Sequence, residues 1–314
     1  ACGGVPALTD DGSASAPRAR PAQESIPLPP SALPPADRIV AIGDLHGDLA
    51  AARRALRLAG ATDRSDRWIG GELVIVQVGD ILDRGDDEQA ILDLFHRLQT
   101  EARDAGGAVH VLNANHEMLN VDLDFRYVTD GGFADFEDAP GVAAALDSLL
   151  DAEDEEILDL PEEERARGAA FRPGGPYARI LAGHPVALRI GDLVFVHGGL
   201  RPRYIRVGLD ELNRQSHEWL LGEGPKPEWV SARKGPLWSR DYSDEVDEDD
   251  CLLLQKALRL LGCSRMIVGH TPHDDITPYC SERLWCVDCK LSEHYGGSTE
   301  VLEIRGDRVR ILEE

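Results

Sequence analysis

Basic residues are scarce in this 314-residue chain: 33 Lys and Arg stand against 57 Asp and Glu, a formal net charge of −24. A surface that acidic repels phosphate backbones over most of its area, which argues against nucleic acid as a partner. It also disfavours lying on an anionic membrane. No apolar run approaches the roughly 20 residues that a membrane-spanning helix requires, so no transmembrane helix is expected. The 6 cysteines are too few for a disulfide-stapled scaffold of this size. Hydrophobic residues, by contrast, reach 42%, enough to bury a sizeable core.

Residues 1–36 are rich in Ala, Pro, Ser and Gly, and Pro27-Leu28-Pro29-Pro30 favours extended backbone. They are expected to form a solvated tether outside the fold. The opening Ala1-Cys2-Gly3-Gly4 looks like the end of a bacterial lipoprotein signal, in which a small residue precedes a cysteine that becomes lipid-modified. A lipid tether through Cys2 would make the protein an extracytoplasmic lipoprotein. With Cys2 incidental, it would be soluble and cytoplasmic.

Residues 37–314 read as a single α/β domain. Apolar runs at Arg38–Gly43, Leu73–Val78 and Ala108–Leu112 each lead through a polar loop into a helical stretch: Leu49–Leu58, Glu88–Ala105 and Asn113–Asn120. Three strand–loop–helix units of similar length imply parallel strands covered by helices. Pro185–Ile190 and Leu193–Val196 read as paired strands, Cys251–Leu261 as a helix, and Arg265–Val268, Leu284–Val287, Glu300–Ile304 and Val309–Leu312 as further strands. The stretch 122–179 is expected to be a helical insertion or cap, its acidic patches forming a solvated face.

The chemistry gathers just past the strand ends. Asp44 and His46 emerge two residues apart after the first strand, and alternation puts both on one side of an extended segment, within reach of one metal ion. Asp80 follows Asp44 by 36 residues and leads into Asp83 and Arg84; Asn115, with His116 next to it, follows Asp80 by 35 residues. The repeated spacing delivers these loops to one edge of the sheet, where open α/β sheets bind ligands. His197 and His270 close two later strands in the same way. So many buried polar groups make sense only with a compensating cation, which points to a two-metal site. Asp86, Asp87 and Glu88 are expected to cap the next helix and complement its dipole.

GDLHGD at 43–48, GDILDRGDDE at 79–88, ANHE at 114–117, HGG at 197–199 and GH at 269–270 resemble, in order and spacing, the phosphoprotein phosphatase branch of the calcineurin-like metallophosphoesterases. The segments NHEMLNVDLDFRYVT (115–129) and GPLWSRDYS (235–243) resemble the Shewanella-like phosphatase subgroup. The resemblance implies a four-layer αββα sandwich. It also implies that Asp44, His46 and Asp80 hold one divalent ion, while Asp80, Asn115, His197 and His270 hold a second. His116 would be the general acid, oriented by Asp83; Arg84, Asn115 and, more loosely, Arg240 would bind phosphate. A bridging hydroxide would attack phosphorus. Mixed carboxylate, imidazole and amide donors suit Mn²⁺ or Fe, with Zn²⁺ as an alternative.

The expected activity is hydrolysis of phosphorylated proteins or peptides, on phosphotyrosine or on phosphoserine and phosphothreonine. A small-phosphate or nucleoside polyphosphate hydrolase on the same site is the alternative. Two departures from the resemblance stand out: Ala114 where Gly is usual, and Cys289-Lys290 where a small residue is usual. Pro272 occupies the place of a second ligand His found in related phosphodiesterases, and His273 is read as incidental.

The cysteines are expected to be buried free thiols. A helix over 251–263 would hold its end cysteines about 18 Å apart, too far for a bridge. Cys286 and Cys289 would face opposite sides of a strand, which disfavours a bridge or metal hook there, and Cys280 with Cys286 is geometrically possible across a short loop.

Overall fold

The apolar runs that end in polar motifs are strands in the computed structural model, which describes residues 25–313. In chain order the strands are β1 (Ala32–Leu33), β2 (Ile39–Ile42), β3 (Val74–Gln77), β4 (Ala108–Val111), β5 (Ala187–Ile190), β6 (Leu193–Val196), β7 (Arg265–Val268), β8 (Thr277–Tyr279), β9 (Leu284–Cys286), β10 (Glu300–Arg305) and β11 (Arg308–Glu313). The helices are α1 (Leu49–Leu58), α2 (Glu88–Asp104), α3 (Asn115–Val121), α4 (Asp130–Ala134), α5 (Val142–Asp151), α6 (Glu155–Leu158), α7 (Arg165–Phe171), α8 (Pro176–Ala182), α9 (Pro202–Val207), α10 (Leu209–Leu220) and α11 (Glu248–Leu261).

Strands β2, β3 and β4 pair in parallel, and β10 and β11 extend their sheet antiparallel, in the order β11-β10-β2-β3-β4. A six-stranded mixed sheet runs β1-β5-β6-β7-β9-β8. Helices α1 and α2 lie against the first sheet and α10 against the second, giving the αββα sandwich. Residues from both sheets, including Ile42, Ile75, Val78, Phe195, Ile267 and Val287, share one core. Each fully buried aliphatic side chain contributes about 1.5–3 kcal/mol relative to exposure.

Local chemistry sets the helix ends. Asp48 caps α1 by accepting from the Ala51 amide, and the buried Ala51, Ala52, Ala55 and Leu56 form the stripe that faces the core. Asp247 and Asp250 form a capping box at the start of α11, and Gly262, at φ 64°, ends it in the left-handed region.

Three features depart from expectation. The tether expected through residue 36 enters the fold earlier: Pro29 and Ser31 are buried, and Ala32–Leu33 adds a parallel strand to the edge of β5. A single row of edge N–H and C=O groups suffices to capture an extended segment, whatever its composition. Residues 1–24, Cys2 among them, lie outside the described residues. Helices α9 and α10 and strand β8 were not foreseen.

The third departure is a disulfide joining Cys251 on α11 to Cys280 just after β8, with Cα atoms 5.3 Å apart; Cys263, Cys286 and Cys289 are free. Cys280 therefore pairs with a helix that packs beside its turn rather than with Cys286 across a short loop. Among the described residues, no helix is long and apolar enough to cross a membrane.

Candidate metal centre and active site

The site is built where strands stop. Asp44 and His46 follow β2, Asp80, Asp83 and Arg84 follow β3, Asn115 and His116 open α3 after β4, and His197 and His270 follow β6 and β7. Five of these residues have left-handed backbone: His46 (φ 45°), Asp80 (55°), Asp83 (69°), Arg84 (68°) and His270 (72°). Each such non-glycine residue costs of order 1–3 kcal/mol, and strain of this kind clusters where side chains must be aimed for function. Two glycines allow the close approach: a Cβ on Gly47 would sit 2.6 Å from the Gly85 carbonyl carbon, and one on Gly269 would sit 2.4 Å from Asp44 Oδ1.

One carboxylate holds the strained β3–α2 loop. Glu117, buried on α3, accepts backbone N–H groups from Asp80 (3.1 Å), Ile81 (2.8 Å), Leu82 (3.3 Å) and Ala114 (2.9 Å). Ala114 itself has φ −128°, which a Cβ adopts without strain, so the departure from Gly is harmless.

The expected ligand side chains converge. Asp80 Oδ2 lies 3.2 Å from His197 Nε2, 3.9 Å from His46 Nε2 and 3.8 Å from His116 Nε2. Asn115 Oδ1 is 2.8 Å from His197 Nε2. Asp44 closes the other side, accepting the His270 amide at 3.1 Å and standing 4.0 Å from His197 Nδ1. Two ligand-grade clusters result, His46–Asp80–His116 and Asp80–His197–His270, with Asp80 common to both.

The imidazoles are prepared as ligands. Nδ1–H of His46 donates to the Leu82 carbonyl (3.1 Å) and Nδ1–H of His197 to the Val78 carbonyl (3.0 Å), so each turns Nε2 inward. Burial pushes His46 down to about 3 and holds His270 well below the usual imidazole range, leaving both rings neutral. Burial, with Asp288 and Asp80 nearby, raises the Asp44 carboxyl. Buried carboxylates beside neutral imidazoles, and a buried His270 Nε2 without a hydrogen-bond partner, fit bound cations that supply the missing charge and bond.

His116 differs from the other three rings. Its Nδ1 donates to Asp83 Oδ2 at 2.5 Å, and both side chains are buried. Burial opposes its charge, but Asp80 and Asp83 outweigh burial and raise its pKa. A raised, carboxylate-oriented imidazole suits proton donation.

Arg84 stands at the mouth between two rings, 4.6 Å from the centroid of Tyr127 and 5.2 Å from that of Tyr295. Those rings lie 5.1 Å from His116 and 5.3 Å from His46, respectively. Arg240 is exposed and close enough to His270 to depress its pKa. His273 donates through Nδ1–H to its neighbour Thr271's carbonyl, away from the cluster. The Cys289-Lys290 turn holds Lys290 at φ 61°.

The capping reading of 86–88 is overturned in part. Asp87 occupies the N-cap of α2 without a side-chain cap bond, and Asp86 accepts instead from Thr129 Oγ1 at 2.5 Å. Glu88 is fully buried, accepting the Asp83 amide and pairing with Arg167 of the insertion. Asp288 beside Asp44, Tyr295, and the Arg167–Glu88 pair had no sequence signal that singled them out.

The calcineurin-like phosphoesterase family model matches residues 37–274. The chain belongs to the calcineurin-like phosphoesterases. Shewanella-like protein phosphatase 2 of Arabidopsis thaliana is 39% identical over 302 residues, covering 88% of this chain and 77% of that protein, which places the chain in that branch. Shewanella-like protein phosphatase 1 of Plasmodium berghei is 26% identical, covering 81% and 67%.

Among solved structures, the cold-active protein-tyrosine phosphatase of a psychrophilic Shewanella species superposes with a TM-score of 0.67 at 22% identity, covering 90% of this chain and 79% of that one. A protein serine/threonine phosphatase of Saccharomyces cerevisiae gives 0.55 at 16%, covering 91% and 84%. At such identities these likenesses show the shared fold. The calcineurin-like phosphoesterase family is hydrolytic and works with a dimetal centre, which the donor set described above fits.

Proposed function

We propose that this chain is a two-metal phosphoprotein phosphatase with phosphotyrosyl side chains as its preferred esters. The carrying observation is the mouth of the site. Arg84 is held between the rings of Tyr127 and Tyr295, with the Tyr127 ring 5.1 Å from that of His116, so a substrate's phosphate meets a preset guanidinium flanked by aromatic surface that suits an aryl ester. The structural likeness to the Shewanella protein-tyrosine phosphatase supports the same reading.

In this proposal Asp44, His46 and Asp80 hold one ion, and Asp80, Asn115, His197 and His270 the other. Mn²⁺ or Fe is favoured over Zn²⁺. When bound, the pair supplies an acidified water as nucleophile and neutralises charge on the phosphoryl oxygens. Arg84 and the Asn115 amide orient the phosphate, with Arg240 as the looser candidate for a second phosphate-binding arginine. His116 Nε2–H protonates the departing phenolate, while Asp83 fixes the ring and stabilises its charge. No covalent phosphoenzyme is required.

Beside Arg84 opens a cavity of about 640 Å³ whose lining, besides Arg84 and His294, includes the acidic Asp86, Asp87, Asp130 and Glu293. An acidic rim repels a polyphosphate chain, which weighs against the nucleoside polyphosphate alternative. The Cys251–Cys280 bridge supports an oxidising, extracytoplasmic setting. The test is a kcat/KM comparison of Mn²⁺-loaded enzyme on matched phosphotyrosyl, phosphoseryl and phosphothreonyl peptides and a dinucleoside polyphosphate. The proposal expects the phosphotyrosyl peptide to lead and Tyr127→Ala or Tyr295→Ala to erode that lead. Preference for the polyphosphate, or equal rates on all three peptides, would refute it.

A further inference from the structure

We infer that Arg167, carried by helix α7 of the insertion, is a positioning residue for proton transfer: it clamps the Asp83 carboxylate that orients His116. The inference rests on the reading of His116 as general acid.

Arg167 is fully buried, and all three of its guanidinium nitrogens donate. Nε donates to Asn120 Oδ1 at 2.7 Å. Nη1 donates to Glu88 Oε2 and to the Gly132 carbonyl, the latter at 2.8 Å. Nη2 donates to Glu88 Oε1 at 3.1 Å and to Asp83 Oδ1 at 3.4 Å. Its guanidinium carbon lies over the rings of Phe136 and Phe171, with centroids 5.0 and 5.2 Å away. The insertion therefore places a fixed, desolvated cation against the catalytic domain rather than only covering it.

Three of these contacts, through Glu88, through Asn120 and directly, lead to Asp83. The Asp83 amide, on strained left-handed backbone, donates to Glu88 Oε1, which Arg167 holds. Oδ1 of Asp83 receives Arg167 directly and also Asn120 Nδ2 at 2.8 Å; Asn120 Nδ2 in turn reaches the His116 carbonyl at 2.9 Å. With Oδ1 and the backbone both tied, Oδ2 is left for His116 alone. A pair that merely held the fold together would have no reason to converge on the carboxylate that touches the acid. Lys cannot replace the fork, because an ammonium presents a single centre where Arg presents planar, divergent donors.

The readout is leaving-group dependence, which a purely structural role does not move. Mn²⁺-loaded full-length Arg167→Lys is compared with wild type on p-nitrophenyl phosphate, whose leaving group needs little protonation, and on phenyl phosphate, whose leaving group needs it. The charge-balanced Arg167→Met/Glu88→Gln variant guards against misfolding, since it leaves no unpaired buried charge. General acid catalysis contributes roughly 10²–10⁴-fold, so partial misplacement should cost about tenfold more on phenyl phosphate than on p-nitrophenyl phosphate. Bound Mn²⁺ should be unchanged, and the extra loss should vanish when either change is added to His116→Asn.

Equal losses on both esters, or a discriminating loss that persists in the His116→Asn background, would overturn the inference. His116→Asn run alone separates the two layers. If it shows no leaving-group bias, the reading of His116 fails; if it shows the bias and the Arg167 variants do not, only the clamp fails.

Discussion

Replacing Glu117 by Gln changes one oxygen into an amide nitrogen at constant shape, yet it should disturb the metal centre. Each carboxylate oxygen of Glu117 serves two backbone donors: Oε1 takes Ile81 and Leu82, and Oε2 takes Asp80 and Ala114. Whichever way the amide turns, two buried N–H groups face a donor. A buried donor without an acceptor costs about 1–3 kcal/mol, so the pair costs about 2–6 kcal/mol. The loss falls on the segment that holds Asp80 and Asp83 in left-handed backbone, which each cost about 1–3 kcal/mol to maintain.

The loop should therefore relax and withdraw Asp80, the side chain common to both ligand clusters. Differential scanning calorimetry should show Tm lowered by about 4–12 °C, from roughly 2 °C per kcal/mol in a chain of this size. Calorimetric titration should show Mn²⁺ affinity weakened at least tenfold. A variant with wild-type Tm and wild-type Mn²⁺ affinity would refute the reasoning that Glu117 braces the site.

Three further outcomes are expected. Asp83→Asn removes a charged acceptor worth about 1.5–3 kcal/mol from His116, so phenyl phosphate turnover should fall about 10- to 100-fold more than p-nitrophenyl phosphate turnover, with Mn²⁺ content intact by elemental analysis. Cys251→Ser opens a crosslink spanning 29 residues, which the chain-entropy model values at about 3–4 kcal/mol; a denaturation midpoint equal to wild type would contradict it. Glu303 is buried, which opposes its charge, but Arg38 at 2.7 Å and then Arg305 outweigh burial and hold its pKa below the usual range. That stability is present above the unfolded carboxyl pKa, about 4.3, and is lost as pH falls through the lower folded value. Arg38→Met should thus lower Tm at pH 7 and converge on wild type in strong acid; a Tm gap independent of pH would count against the pairing.

The parts of the molecule legible in the sequence were those whose cause is local. Ile39–Ile42 and Val74–Gln77 are short aliphatic runs stopped by Gly-Asp, and α1 spans Leu49–Leu58 as its apolar spacing requires. The convergence of Asp44, His46, Asp80, Asn115, His197 and His270 on one place was legible because chemistry-bearing residues recur immediately after such runs. What escaped depends on distant partners. Glu88 sits where a dipole-complementing acid belongs, and only Arg167, 79 positions away, explains its burial. Cys280 found Cys251 because strand β8, which its sequence (Thr-Pro-Tyr) does not advertise, sets it beside α11. The β1 strand is two residues of a Pro-rich stretch, identifiable only by the edge it joins.

Diffraction from Mn²⁺-soaked crystals, recorded with anomalous signal at the Mn edge, tests the central claim most directly. Two peaks per chain should appear, one among Asp44, His46 and Asp80 and one among Asp80, Asn115, His197 and His270, and phosphotyrosyl peptide hydrolysis should vanish with chelator and return with Mn²⁺. A single peak remote from Asp80, or full activity in metal-free protein, would contradict the account.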